Sequence, residues 1–150
     1  APVARGEPTG EDGGSSLLLP AGQRLYVRGW DPALRLFANN YYEVPPGPAT
    51  ETGLMELVMV PGASLDVALL TPGGKPARDV DVRLMMFHAR EGAWWPVEAA
   101  ADSQGSVHFG ALPAGTYAIM IEAGHDGQAK VPEVVLAPGG SADLGCIMLH

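Results

Sequence analysis

Residues 79–87 read DVDVRLMMF, and apolar and charged residues alternate over most of this run. The even-numbered positions from 80 to 86 are apolar, whereas Asp79, Asp81 and Arg83 occupy odd-numbered positions. Successive side chains of a β-strand point to opposite faces, so this pattern is typical of a strand with one buried face. A helix would repeat its apolar positions every three to four residues instead. The run therefore predicts a half-buried β-strand.

The same alternation continues on both sides of this run. Leu65, Val67 and Leu69 precede it, and the turn-forming stretch TPGGKP at residues 71–76 lies between the two runs. Further turns are expected at DSQG, LPAG and APGG, which begin at residues 102, 112 and 137. Strand candidates on that side lie at residues 94–101, 107–109, 116–123, 130–136 and 142–149. About seven short strands separated by turns predict an all-β, antiparallel Greek-key sandwich.

The first part of the chain resembles the last part. LPAG at residues 19–22 recurs at residues 112–115, and each copy precedes an alternating run. Each copy then reaches a Pro-Gly turn, Pro46-Gly47 in one case and Pro138-Gly139 in the other. Turn sequences also coincide by chance, as PGAS at residue 61 and PGGS at residue 138 illustrate. The match is consistent with an internal duplication.

Three regions are predicted from these patterns. Residues 1–16 are rich in Gly, Pro, Ser and acids, which indicates a flexible leader. Residues 17–61 correspond to the last three strands of a partial sandwich, or alternatively extend one sheet of a single larger sandwich. Residues 62–150 hold a complete sandwich. Because three strands bury little apolar surface alone, the segment from Leu54 to Val60 is a candidate for pairing with a neighbouring chain.

Composition excludes several classes of partner. The formal net charge is −8 and no cluster of Lys and Arg occurs, so we expect no nucleic-acid partner. No apolar run approaches the roughly 18 residues that a membrane-spanning helix needs.

Cys146 is the single cysteine and is expected to be a buried small apolar residue. An opening at Ala1-Pro2-Val3 without Met suggests an exported chain, secreted, periplasmic or on the cell surface, whose signal peptide has been removed.

Residues 63–149 resemble the carboxypeptidase regulatory-like domains, which have a transthyretin-like sandwich. The resemblance rests on the turn GKP at residues 74–76, on Asp102 and Gly105, and on LPAGTY at residues 112–117. Arg78-Asp79 departs from it, because the family usually has a small pair there. The resemblance implies a structural or binding appendage of an exported, bacterial-type protein, without peptidase activity of its own.

No residue pattern indicates catalysis, a cofactor or a metal. His88 and Glu91 have the His-x-x-Glu spacing of zinc carboxypeptidases, but no third ligand completes the set, and both are expected in an exposed loop. No Gly-x-Ser-x-Gly motif occurs. A metal-dependent enzyme centred on His88, Glu91 and His108 remains an alternative.

Aromatic residues are the candidate binding residues. Trp94-Trp95 and Tyr41-Tyr42 are adjacent pairs, so one member of each would face outward from an extended chain, and Trp30 is a further candidate. Exposed Trp and Tyr stack on sugars or anchor protein partners. Alternatively, both members of each pair belong to the core. The expected function is a non-catalytic structural or interaction module, which binds a protein partner or itself through sheet edges; a carbohydrate-binding module is the alternative.

Overall fold

The computed structural model of the protein describes residues 8–31, 33–47, 55–88 and 93–150, and the side chains of residues 39–41 and 93–95 lie outside that description. The described residues form β-strands and one short 3-10 helix, Gly124–Asp126, with no α-helix. The strands are β1 (Arg24–Trp30), β2 (Leu36–Glu43), β3 (Val60–Pro61), β4 (Ala63–Leu70), β5 (Asp81–His88), β6 (Ala93–Ala100), β7 (Ser106–Leu112), β8 (Gly115–Glu122), β9 (Gln128–Leu136) and β10 (Ser141–Met148). This described part of the chain holds no helix with the length and apolar character needed to cross a bilayer.

The described chain divides into two compact units. The first contains residues 8–29, 38–47 and 55–58, and includes most of β1 and β2. The second contains Trp30–Phe37 and Met59–His150, and includes β3 to β10. The predicted division into residues 1–16, 17–61 and 62–150 stays a prediction.

The second unit is a β-sandwich. One sheet has the strand order β10-β4-β7 and the other has the order β6-β5-β8-β9. Every second residue of β4 is buried, and Leu65 and Leu69 are fully enclosed. Leu84 of β5 and Ile121 of β8 are equally enclosed and pair with each other. The inward-facing apolar residues of the two sheets therefore form the core, which confirms the predicted all-β sandwich.

One strand pair departs from the antiparallel arrangement. β10 lies parallel to β4, with Ser141 opposite Ser64 and Met148 opposite Leu70. The other described pairs of the sandwich, β4–β7, β5–β6, β5–β8 and β8–β9, are antiparallel. The first and last strands of the sandwich, β4 and β10, are thus neighbours in one sheet.

Cys146 is exposed, so its predicted burial is wrong. The register of β10 shifts between Asp143, which pairs with Asp66, and Cys146, which pairs with Ala68. β10 thus advances three residues where β4 advances two, which is a β-bulge. The extra residue reverses the alternation of β10 and turns Cys146 to the outer face.

The LPAGTY turn is stabilised by a buried hydrogen bond. The Tyr117 hydroxyl donates to the Pro113 carbonyl oxygen at 2.8 Å. Gly115 has φ +152°, and a Cβ atom there would lie 2.6 Å from His88 Nε2. The glycine is needed because the imidazole of His88 occupies the space beside it, with its ring centroid 5.1 Å from that of Tyr117.

Candidate partner-binding edges

The tip of the β1–β2 hairpin belongs to the second unit and is closed by Asp31. The Asp31 Oδ1 atom accepts hydrogen bonds from the backbone N–H groups of Arg35, at 2.6 Å, and Leu36, at 2.7 Å. The Leu34 N–H donates to the Asp31 carbonyl oxygen at 2.9 Å. One carboxylate therefore holds the turn by binding two backbone donors.

This tip lies against the end of β7. The Ala111 N–H donates to the Leu34 carbonyl oxygen, and the Gly62 N–H donates to the Arg35 carbonyl oxygen, each at 2.7 Å. A Cβ atom at Gly110 would lie 2.6 Å from the Leu34 carbonyl oxygen. A Cβ atom at Gly62 would lie 2.7 Å from Ala111 Cα. Gly110 thus permits the close approach of the tip to β7, and Gly62 permits the close approach of the junction between β3 and β4 to β7.

The pKa of Asp31 lies below its ordinary value of 3.8, chiefly because the Leu36 N–H donates to the charged carboxylate. The Arg35 N–H and guanidinium lower the pKa further, against partial burial, which raises it. A lowered folded-state pKa stabilises the fold at pH values above the unfolded-state pKa, and this contribution is lost as the pH falls through the folded-state pKa.

Asp31→Asn keeps an oxygen acceptor but removes the charge. We expect the variant to be less stable than the wild type at neutral pH, and the difference to shrink as the pH falls below the ordinary aspartate pKa. Urea unfolding at a series of pH values down to strong acid measures this difference. If the free energy of unfolding depended on pH in the same way in both proteins, the stabilising role of the charged Asp31 carboxylate would be wrong.

The outer strands of both sandwich sheets carry features that hinder pairing with a further strand. Pro96 in β6 and Pro132 in β9 have no N–H to donate to a partner. The bulge between Asp143 and Cys146 interrupts β10. On β7, the Ala111 N–H is bonded to the hairpin tip. These are the devices by which sheet proteins prevent edge-to-edge association.

The third sheet has the order β1-β2-β3, so its outer strands are β1 and β3. β1 reads RLYVRGW over Arg24–Trp30, with no proline and no strand among the described residues on its other side. β3, at the opposite edge, is only Val60–Pro61. Arg24, Tyr26, Arg28 and Trp30, which are alternate residues of β1, each take part in an interaction within the chain. The alternating composition of β1 was visible in the sequence, but its edge position was not.

Five of the seven large exposed apolar residues described in the second unit lie on the hairpin tip or at β3. Leu36 pairs with Pro61, and Phe37 pairs with Val60, so the two segments are adjacent. The exposed members are Trp30, Leu34, Leu36, Met59 and Val60, with exposed fractions of 36–45%. Of the predicted exchange segment, Leu54 lies outside the described residues, and only Val60 belongs to a strand.

The predicted aromatic residues are only partly described. Tyr42 is half-buried in the first unit, and Trp30 is 45% exposed in the second. The backbones of Trp94 and Trp95 pair with Phe87 and Met86, but the side chains of both tryptophans, like that of Tyr41, lie outside the described residues. An aromatic binding site stays a prediction.

The histidines are not brought together. His88 ends β5 and is half-buried beside Tyr117, so the expected exposed loop position is wrong for His88. The strand extends one residue beyond the predicted run at residues 79–87, because β6 pairs with β5 up to His88. His108 lies on the other sheet, where its Nδ1 atom is 2.7 Å from Asp66 Oδ1. Glu91 lies outside the described residues, which contain no group of three potential metal ligands.

A surface depression of about 510 Å³ lies at the start of β5 and β9. Its lining has charges of both signs, with Arg83 Nη1 4.0 Å from Glu122 Oε2 and with Asp81 nearby. Arg83 Nε is buried without a hydrogen-bond partner among the described atoms. Because the lining has charges of both signs, it favours neither an anionic nor a cationic ligand.

Comparisons with known proteins show no family. No family profile and no curated protein matches the sequence. Similar solved structures include an (S)-allantoin synthase, at 15% identity and a TM-score of 0.43 over 58% of this chain and 40% of that chain. Transthyretin from Sparus aurata has 23% identity and a TM-score of 0.40, over 57% of this chain and 87% of that chain. The Bacillus anthracis TIE protein has 12% identity and a TM-score of 0.36, over 99% of this chain and 32% of that chain. At these scores and identities no activity carries over to this chain, which is a β-sandwich module by its own sheets.

Proposed function

We propose that this protein is a non-catalytic interaction module of an exported or cell-surface protein, of the carboxypeptidase regulatory-like kind. It associates through the exposed apolar residues of the hairpin tip and β3, at the β3 edge of the third sheet. The proposal rests on this group of residues: Leu36 pairs with Pro61, Phe37 pairs with Val60, and Leu34, Leu36, Met59 and Val60 are 36–42% exposed.

The composition of the core supports a module of this kind. The described chain buries no polar or charged residue, and its largest enclosed side chains are those of Tyr117 and Phe109. Such an interior supplies stability to the sandwich and leaves recognition to its surface. The exposed apolar residues around β3, such as Met59 and Val60, support an association surface beside this sheet.

Light scattering of column-purified protein at low and high concentration tests the self-association. We expect dimers or larger species at high concentration, and we expect Val60→Lys to shift the population toward monomer. Val60 is 42% exposed on β3, and a lysine there places a charge on the associating sheet.

Val135→Lys is the matched control, because Val135 is 64% exposed on β9, whose edge already contains Pro132. Its association should match that of the wild type. Monomer alone at both concentrations, or equal effects of the two substitutions, would contradict self-association through this sheet.

A further inference from the structure

Residues 15–19 form an exposed apolar segment of the first unit. They read Ser-Ser-Leu-Leu-Leu and belong to none of the described strands. Leu18 is 84% exposed, which is the highest value among the large exposed hydrophobic residues described, and the adjacent Leu17 is 38% exposed. Single exposed apolar residues are common, whereas adjacent ones are typical of a surface that contacts another molecule. The segment is therefore a candidate for burial by a partner.

Hydrogen bonds to backbone N–H groups hold the chain on both sides of this segment. The Gly14 N–H donates to Asp12 Oδ1 at 2.9 Å, and the Gly22 N–H donates to the Val44 carbonyl oxygen at 2.9 Å. A segment fixed at both ends loses less conformational freedom on binding than a free tail does. Residues 13–22 contain no charged side chain, so a partner can cover them without removing a charge from water.

The second unit offers an apolar surface on the hairpin tip and β3. This tip–β3 surface consists of Leu34, Leu36, Met59 and Val60, which are 36–42% exposed. Arg35 has its Nε atom 3.8 Å from Asp31 Oδ2, so the two charges of the tip offset each other. The surface therefore suits an uncharged apolar segment better than a charged one.

Two copies can bring these apolar residues together in two ways. Joining two tip–β3 surfaces buries that surface in each copy but leaves Leu17 and Leu18 exposed to water. If the surface of each copy binds residues 15–19 of another, every copy buries both kinds of apolar residue. Burial stabilises association in proportion to the apolar area removed from water, so the second arrangement is favoured.

The size of the tip–β3 surface supports this choice. A stable protein–protein interface takes roughly 20–30 residues from each side, and the members of this surface are far fewer. A pair of such surfaces would therefore bind weakly. The apolar area of Leu17 and Leu18 raises the total that each copy buries.

We propose that the tip–β3 surface of one copy binds residues 15–19 of a second copy, with Leu17 and Leu18 against the surface. The contact is heterologous, because it joins two different parts of the chain. Each copy carries both parts, so association can continue beyond a dimer. This inference rests on the proposed function, because it names the segment that covers the tip–β3 surface.

The double variant Leu17→Ser/Leu18→Ser tests the segment. We expect its association constant to fall at least about tenfold, because less apolar area leaves water on association. Light scattering at low and high concentration measures the loss. Urea unfolding should show the stability of the wild type, because Leu17 and Leu18 are exposed. Val135→Ser/Met148→Ser is the matched control, since it removes two exposed apolar side chains of the second unit and should associate as the wild type does.

Mixing two variants tests whether the segment and the surface meet. Val60→Lys keeps the leucine segment intact, whereas Leu17→Ser/Leu18→Ser keeps the tip–β3 surface intact. At a concentration at which the wild type associates, we expect each variant alone to be monomeric and the equimolar mixture to form a 1:1 dimer. This dimer should not grow further, because its unused segment and its unused surface are the two substituted ones.

Two results would overturn the inference alone. Association of Leu17→Ser/Leu18→Ser at the wild-type level would show that other residues cover the surface, and a mixture that stays monomeric would show that the segment and the surface do not meet. In both cases weaker association of Val60→Lys would leave the proposed function standing. A wild type that is monomeric at high concentration would contradict both the inference and the proposed self-association.

Discussion

Gly105→Ala is expected to lower the free energy of unfolding by about 2–5 kcal/mol. Gly105 has φ +77°, a left-handed conformation that costs an L-residue about 1–2 kcal/mol. The new Cβ atom would lie 2.6 Å from the Leu69 carbonyl oxygen. That oxygen accepts the Ala77 N–H at 2.9 Å, and the Leu69 N–H is bonded to the Gly105 carbonyl oxygen at 2.8 Å. The backbone is held on both sides, so overpacking adds about 1–3 kcal/mol.

Gly74→Ala separates these two effects. Gly74 has φ +76°, nearly the value at Gly105, but no atom lies within 4 Å of a Cβ built there. Its substitution should therefore show the conformational cost alone. Urea unfolding of the two variants and the wild type measures the difference, and equal losses would show that the contact with Leu69 has no energetic role.

Gly110→Ala is expected to detach the hairpin tip from β7 and to destabilise the second unit by about 2–6 kcal/mol. The Cβ atom would lie 2.6 Å from the Leu34 carbonyl oxygen and 2.7 Å from Leu34 Cβ. If the tip moves away, the Ala111 N–H loses its acceptor, and Ala111 has no exposed surface at which water could replace it. An unsatisfied buried donor adds about 1–3 kcal/mol to the overpacking.

Hydrogen exchange at the Ala111 amide reports this detachment directly, and urea unfolding gives the accompanying loss of stability. Gly73→Ala is the control, because the nearest atom to its built Cβ is the Thr71 hydroxyl at 3.8 Å. We expect faster exchange at Ala111 in the Gly110 variant only. An Ala111 amide as protected as in the wild type would mean that the tip accommodates the methyl group.

The attachment of the hairpin tip also bears on association. In the second unit the tip covers the end of β7 through the Ala111 N–H, where β7 also contains a bulge, because it advances three residues from Phe109 to Leu112 while β4 advances two. A detached tip would uncover this edge. The same Gly110→Ala protein therefore links the stability of the hairpin to the choice of sheet through which the module associates.

The strands, buried faces and turns described next for the second unit were predictable from local sequence patterns. The alternation in residues 79–87 predicted the buried face of β5, and Leu84 and Met86 are fully enclosed. Val107 and Phe109 point inward while His108 stays exposed, as period-two alternation requires. The glycine in LPAGTY marks a turn that Tyr117 stabilises. These features were predictable because each depends on residues a few positions apart.

The candidate site was less accessible to such reasoning. Alternation in Arg24–Trp30 indicated a strand, but its place at a sheet edge depends on which strands pair with it. The sequence predicted the adjacent aromatic pairs instead, because an exposed Trp or Tyr is recognisable from residue type alone, whereas an exposed apolar surface made of two segments depends on how those segments pair.

Residue alternation and turn residues thus specified the buried faces of β4, β5, β7 and β8 and the sandwich class without reference to any long-range contact. Tertiary structure alone set the parallel β4–β10 pair, the bulge that exposes Cys146, the position of His88 beside Tyr117, and the approach of Leu34 to Gly110. Each of these joins residues far apart in the chain or depends on the register of such a pairing. Register between distant strands follows from how the whole core packs, and no single stretch of sequence contains that information.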